Sequence, residues 1–407
     1  MTTSIVAQRF KLIKSSPSMA AKARVDVLRA AGKQVVDFTI GEPDFATPEH
    51  IVQAGIAALM RGDTKYTASS GTPALKAAIV EKLARENGLQ FSPAQIVVGC
   101  GAKQIIFNAF AASLEAGDEV VVPAPYWVSY PDMVAINGGT PVLVQCPQST
   151  GFKLTPELLE RSITSRTRWL VLNTPNNPTG AVYTGAELEA LGAVLQSHPE
   201  VWLLTDEIYE HFVYGRARHV SPLKVAPYLA ERTLIVNGVS KAYAMTGWRI
   251  GYGAGPVPLM QAISLLMSQS TTCPSAIGQC AAITALQGPQ QCVSDAVALF
   301  RTRRDLMAGR LQAIPGIGCT VPDGAFYLFP SVAGLLGLAD HNGAVMKNDV
   351  NVATFLLEAA GVASIDGSSY GMPNHLRLSF ATSAGEIEEG CQRMLAAVTS
   401  LSHPQPV

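Results

Sequence analysis

The sequence predicts an α/β fold: a large domain whose mainly parallel sheet is flanked by helices, with a smaller α+β domain built from both chain ends. Three observations predict it. Short β-branched runs alternate with longer amphipathic stretches through the middle of the 407 residues. The runs are apolar throughout, as strands buried on both faces of a parallel sheet are. Beyond residue 295 this alternation gives way to one long helical stretch, a polar insertion and isolated strand-like segments, the texture of an α+β unit. The expected boundaries are 48–294 for the large domain and 1–47 with 295–407 for the small one.

In chain order, Thr47, Pro48 and Glu49 offer an N-cap, a proline at N1 and an acid in the first turn of a helix. Thr72 with Pro73 and Thr155 with Pro156 repeat the device, and Gly88 stands where the helix from Pro73 should stop. The strand candidates are QIVVG (95–99), EVVV (119–122), PVLVQ (141–145), WLVL (169–172), VWLL (201–204) and TLIV (233–236). A helix over 297–314, the segment GAFYLF (324–329), a polar insertion over 339–348, a helix over 350–360 and a strand over 375–380 complete the order. No internal repeat interrupts it.

Composition excludes several classes. With 48% hydrophobic and 15% charged residues, the chain is too apolar to be disordered. Thirty basic and 31 acidic side chains leave a net charge of −1, so no basic field exists to hold nucleic acid or an acidic membrane. The seven cysteines form no C-x-x-C pair and read as reduced thiols. No H-E-x-x-H occurs, and no metal site is expected. The first 16 residues lack the apolar run of a secretory signal, and no stretch of about 18 uncharged apolar residues is present. The expectation is a cytoplasmic protein.

The strongest chemical signal is NGVSKAYAMTGWR (237–249), where Lys241 follows a strand and a Gly/Ser turn. A lysine among apolar and aromatic neighbours loses hydration, and its neutral, nucleophilic amine becomes accessible. Arg249, eight residues on, can grip a phosphate with its fork. An amine that condenses with an aldehyde, beside a phosphate grip, is what pyridoxal phosphate needs. A lone lysine here is otherwise a surface residue on a loop.

Asp206, in LLTDEIY (203–209), stands at the carboxyl end of a buried strand, where ligands collect in open α/β sheets. A carboxylate there keeps a pyridine nitrogen protonated, and Tyr209 can bond the ring oxygen; a helix cap or an ion pair is the alternative. NTPNNPTG (173–180) follows the strand WLVL and can present an Asn between its two prolines on a stiffened loop, or form an ordinary turn. Gly99 to Gln104 (GCGAKQ) opens a helix with small residues that let backbone N–H groups face a phosphate. It also resembles a dinucleotide fingerprint, but Gln104 replaces the third glycine. Gly251, Gly253 and Gly255 repeat the glycine spacing without a strand-to-helix context. Trp127 can stack on a flat ring or fill the core.

Taken together, these segments resemble a class I pyridoxal phosphate aminotransferase of the aspartate aminotransferase kind. The resemblance runs essentially the full length, through GEPDF (41–45), KYTASSGTPALK (65–76), GAK (101–103), PYWVSYP (125–131), PNNPTG (175–180), DEIYEHFVY (206–214), NGVSKAYAMTGWRIGY (237–252), GAFYLFP (324–330) and HLRLSFATS (375–383). It implies a pyridoxal phosphate-dependent transferase-like fold and a two-stage aldimine/ketimine mechanism. Lys241 would form the Schiff base with pyridoxal 5'-phosphate and move the proton. Asp206 would pair with the ring nitrogen, Tyr209 and Asn177 with the ring oxygen, and Trp127 with the ring face. Gly101, Ala102, Lys103, Ser240 and Arg249 would hold the phosphate, and Tyr66 would reach the phosphate of a neighbouring subunit in a homodimer with shared sites. Arg377 would grip the substrate α-carboxylate with Asn177 and the backbone at Gly41.

For the side chain, Lys103 is the candidate cation facing an acidic substrate, with Lys14 and Ser18 behind it. Aspartate or glutamate with 2-oxoglutarate or oxaloacetate is favoured. Aromatic substrates or prephenate, and a C–S lyase of the same fold, are the alternatives. Two departures from the pattern stand out. Gly238 replaces a serine of some members, implying one phosphate hydrogen bond fewer, and Asp366 replaces a proline near the substrate mouth.

Overall fold

The computed structural model describes residues 5–13 and 17–403; Lys14 and the side chain of Ser18 lie outside them. Near the start, β1 (Val36–Asp37) joins a strand from the far end of the chain. The central sheet follows: β2 (Ile96–Gly99), β3 (Glu119–Ala124), β4 (Thr140–Gln145), β5 (Thr167–Asn173), β6 (Trp202–Asp206), β7 (Thr233–Gly238) and β8 (Gly251–Ala254). Its order is β2-β8-β7-β6-β5-β3-β4. The five strands from β7 to β4 run parallel, and β8 is antiparallel to both neighbours.

Alternate residues of these strands enter two separate cores, because successive side chains leave opposite faces. Val98, Val121, Leu170, Leu203 and Ile235 pack on one side; Val97, Val120, Val171, Leu204 and Val236 pack on the other. Each such side chain taken from water contributes about 1.5–3 kcal/mol, which is why the polar residues of the runs fall only at their ends. The edge strand β4 departs from the expected two-sided burial: Leu143 is 44% exposed. The glycine-rich run at 251–255 provides strand β8.

The caps follow the sequence at two sites and not at the third. Thr72 and Thr155 accept from the backbone N–H of Leu75 and Leu158 at 3.3 Å each. Thr47 does not cap Glu49–Arg61; its hydroxyl donates to the Ala244 carbonyl at 2.7 Å and accepts from the Trp248 indole at 3.0 Å, bonds that favour the tertiary contact over the helix end. The helix Pro73–Lys82 continues through a π-turn, Leu83–Asn87, and stops at left-handed Gly88 as expected. The helix expected over 297–314 begins earlier and spans Gln291–Gln312.

Beyond it lie β9 (Tyr327–Leu328), β10 (Val362–Ala363), β11 (Ile365–Asp366) and β12 (Leu376–Ser379). They form an antiparallel sheet β11-β12-β9 and a parallel pair β1-β10. A third core unites Phe38, Phe300, Phe326, Phe380 and Met394. Tyr209, Phe212 and Tyr214, which follow β6, are also part of it. The carboxyl end of the parallel sheet is thereby pinned against the later segments. No helix among the described residues is long and apolar enough to cross a membrane.

Candidate active site

Parallel pairing brings strand ends together. Asn173 of β5 stands beside Asp206 of β6, and Asp206 beside Val236 of β7. The chain leaving β7 turns at Gly238 and presents Ser240 and Lys241 at the same sheet edge. A cavity of about 270 Å³ opens there, lined by Gly41, Ala102, Lys103, Trp127, Asn177, Asp206, Tyr209, Ser240, Lys241, Arg249 and Arg377, among others. Eleven of the residues singled out from the sequence thus share one cleft. Gly101 sits just behind it, at the N-cap of the helix Ala102–Ser113. Tyr66 is apart from it, 86% exposed on the surface.

Burial sets the electrostatics. Asp206 is only 4% exposed, and burial raises its carboxyl to about 6, against bonds from the Tyr130 hydroxyl and the Ile208 N–H that favour the charge. The two bonds measure 2.7 and 3.2 Å. Burial lowers the Lys241 amine to about 8, with Glu42 acting against the shift and Arg249 with it. Lys241 Nζ donates to the Gly41 carbonyl at 2.7 Å. Burial, with Arg249 nearby, also lowers Lys103, whose Nζ lies 4.7 Å from the Trp127 ring centre.

The arginines are oriented through carbonyl and amide oxygens. Arg249 Nη1 donates to Thr246 O at 2.8 Å. Arg377 donates to Thr39 O at 2.6 Å and to Asn177 Oδ1 at 3.3 Å, and its face lies 4.5 Å from the Tyr327 ring centre. Neither arginine meets a carboxylate in these bonds, so each keeps a positive charge for an incoming anion.

Three tyrosine and asparagine roles were not read from the sequence. Tyr130 bonds Asp206. Tyr327 hydroxyl lies 2.8 Å from that of Tyr209. Asn173 donates to the Asp206 carbonyl at 3.0 Å and accepts from the Asn177 N–H at 2.8 Å. Tyr130 and Tyr327 fall inside segments quoted above (PYWVSYP and GAFYLFP), which was the available signal. The two departures have local reasons. A Cβ on Gly238 would lie 2.9 Å from the Gly251 Cα, leaving no room for a serine. Asp366 Oδ1 accepts from Ser369 N at 2.8 Å and its hydroxyl at 2.9 Å, so a carboxylate cap stiffens this turn.

The site fits a phosphorylated pyridine aldehyde on three counts. Gly101 holds φ +87°, and a Cβ there would approach Arg249 Nη2 to 2.4 Å, so the glycine keeps guanidinium and helix N-terminus adjacent, an anion cradle. Asp206 is a buried carboxylate with no hydrogen-bonded cation. Arg377 Nε is buried and lacks a partner, a donor left for a carboxylate.

The family model of the class I and II aminotransferases matches residues 33–394, and the chain belongs to that family of pyridoxal phosphate-dependent enzymes. It is 50% identical over 396 residues to the aspartate aminotransferase of Rhizobium meliloti, covering 97% of each chain. It is 49% identical over 390 residues to the aspartate/prephenate aminotransferase of Cereibacter sphaeroides, covering 96% of this chain and 98% of that one. A crystal structure of the Rhizobium meliloti aspartate aminotransferase superposes with a TM-score of 0.96 at 50% identity over 98% of this chain and 100% of the other. The Thermus thermophilus enzyme with maleate gives 0.90 at 42% identity over 97% and 100%.

Proposed function

We propose that this aminotransferase moves the α-amino group of aspartate or glutamate to 2-oxoglutarate or oxaloacetate, with pyridoxal 5'-phosphate held at Lys241. The observation that carries the reading is the convergence of Lys241, Asp206, Arg377 and the cation of Lys103 on one cleft. Pyridoxal phosphate, when bound, supplies an aldehyde for imine formation and a ring that withdraws electrons from the adjoining carbon.

The residues divide the remaining work. Near neutral pH an amine lowered to about 8 is neutral often enough to act as nucleophile, then as the base that takes the substrate α-proton and the acid that would return it to the cofactor's aldehyde carbon. Asp206 is the carboxylate for the ring nitrogen. Tyr209 and Asn177 serve the ring oxygen, and Trp127 the ring face. The backbone at Gly101, Ala102 and Lys103, with Ser240 and Arg249, forms the phosphate grip. Arg377, Asn177 and the Gly41 backbone orient the α-carboxylate, a positioning effect that removes part of the barrier. Lys103 attracts the distal carboxylate.

The 49%-identical relative named for aspartate and prephenate favours one further reading. Prephenate carries a ring carboxylate that the same lysine would meet. The C–S lyase alternative has no such support. A cytoplasmic homodimer completes the proposal. Ile56, Leu59 and Met60 form an exposed apolar stripe on the helix Glu49–Arg61, followed in the chain by exposed Tyr66, as a subunit contact requires, and the seven cysteines are free, as in a reducing compartment. Coupled kinetics over a panel of donors and acceptors test the substrate. Aspartate should exceed phenylalanine in kcat/KM; the reverse order, by a large factor, overturns the acidic assignment.

A further inference from the structure

Side chains of the segment after β6 divide between two environments. Asp206 and Tyr209 line the cleft, while Glu207 and Glu210 turn away from it and are also buried. Glu207 accepts from Ser221 Oγ at 2.7 Å and approaches His219 Nε2 at 3.0 Å. Glu210 is a hub. Its carboxylate pairs with the ammonium of Lys82, whose side chain is 1% exposed. It also accepts from Asn87 Nδ2 and Asn237 Nδ2, each at 2.7 Å.

These partners come from separate stretches of chain. Lys82 ends the helix from Pro73, Asn87 ends the π-turn after it, and Asn237 lies in β7. Asn237 also accepts from the Gly238 N–H at 2.7 Å, three residues before Lys241. Glu207, Glu210 and His219 offer atoms within 4.8 Å of one another, as metal ligands do, but the Lys82 ammonium already supplies the positive charge beside Glu210. Desolvating such a pair costs more than burying apolar residues of the same volume, so stability alone does not account for it.

We propose that Glu210, clamped by Lys82, is a positioning residue for the transamination: through Asn237 it fixes the segment bearing Lys241 against the segment bearing Asp206 and Tyr209. The inference rests on the function proposed above and adds a residue outside the cleft to it. Displacing reacting groups by about 1 Å costs on the order of 100-fold in rate, so this side-chain bond, added to the backbone pairing of β6 with β7, has kinetic weight. The substrate grip at Arg377 hangs on another contact, the Thr39 carbonyl.

The test compares parent, Glu210→Gln and Asn237→Ala holoenzymes by steady-state kinetics and by visible circular dichroism of the bound cofactor. Both variants should lose about 10- to 100-fold in kcat, keep the donor KM within about 3-fold, and show an altered dichroism band. Asn237→Ala removes the bonds to the Glu210 carboxylate and from the Gly238 N–H and leaves the Lys82 pair, so it decides the matter if Glu210→Gln does not fold. An Asn237→Ala enzyme with parental kcat and parental dichroism overturns the proposal, as does a change confined to KM. Borohydride fixation of cofactor to Lys241 in the parent is the control. Without it the functional reading fails and takes this one with it; with it, parental behaviour of the variant removes the positioning role alone.

Discussion

The Tyr130 hydroxyl donates to Asp206 Oδ2 at 2.7 Å, with both groups buried. This bond partly offsets the burial that drives the carboxyl towards neutrality. A hydrogen bond to a charged group contributes about 1.5–3 kcal/mol. Tyr130→Phe should therefore weaken pyridoxal phosphate binding roughly 10-fold or more, measured by fluorescence titration. Parental affinity would show that Asp206 keeps its charge without Tyr130.

The same carboxyl makes stability depend on pH in the ligand-free protein. Asp206 is raised from 3.8 to about 6, chiefly by burial. Between those values the folded protein holds a proton that the unfolded chain has released, so stability falls as pH rises through the window. Asp206→Asn never charges. Relative to the parent it should gain about 3 kcal/mol between about pH 4 and about pH 7, read from urea midpoints. A constant difference across that range removes Asp206 as the source.

Lys103 tests the substrate side. Its ammonium is partly desolvated beside Trp127, and a desolvated cation attracts a carboxylate more strongly than an exposed one. Lys103→Ala should cut kcat/KM for aspartate by about 10- to 100-fold and leave phenylalanine within about 3-fold. Equal losses for both donors would mean that the lysine serves the cofactor instead.

Asp366 is tested by removing its cap. Asp366→Ala should cost about 1 kcal/mol, seen as a lowered urea midpoint, because Ser369 loses both of its bonds to the carboxylate. An unchanged midpoint would show that the turn is held by its surroundings.

Strands and site were legible to different depths. The apolar runs found β2 to β7 because a strand packed inside the sheet buries apolar side chains, and edge strand β4 keeps the same composition with less cover. The eighth was missed because two of its four residues are glycine. A Cβ on Gly251 would lie 2.1 Å from the Ala102 amide nitrogen, so the strand gives up β-branched residues to let the helix N-terminus approach. Local chemistry brought Lys241, Asp206 and Arg249 to attention, and the family resemblance added Asn177 and Arg377. Tyr130 and Tyr327 escaped because their partners lie 76 and 118 residues away, and no local pattern encodes a contact of that span. Glu210 escaped for the same reason.

The pairing of Val36 with Val362 bears on how the protein is made. The ribosome releases the first of these strands early and the second only after most of the chain has emerged. Until then Val36 and Phe38 lack their native cover, and such late-closing, long-range partnerships are slow to form. A nascent chain stalled before Val362 would display that apolar strand to chaperones, and its loss to proteolysis would be the price of pairing strands so far apart in the chain.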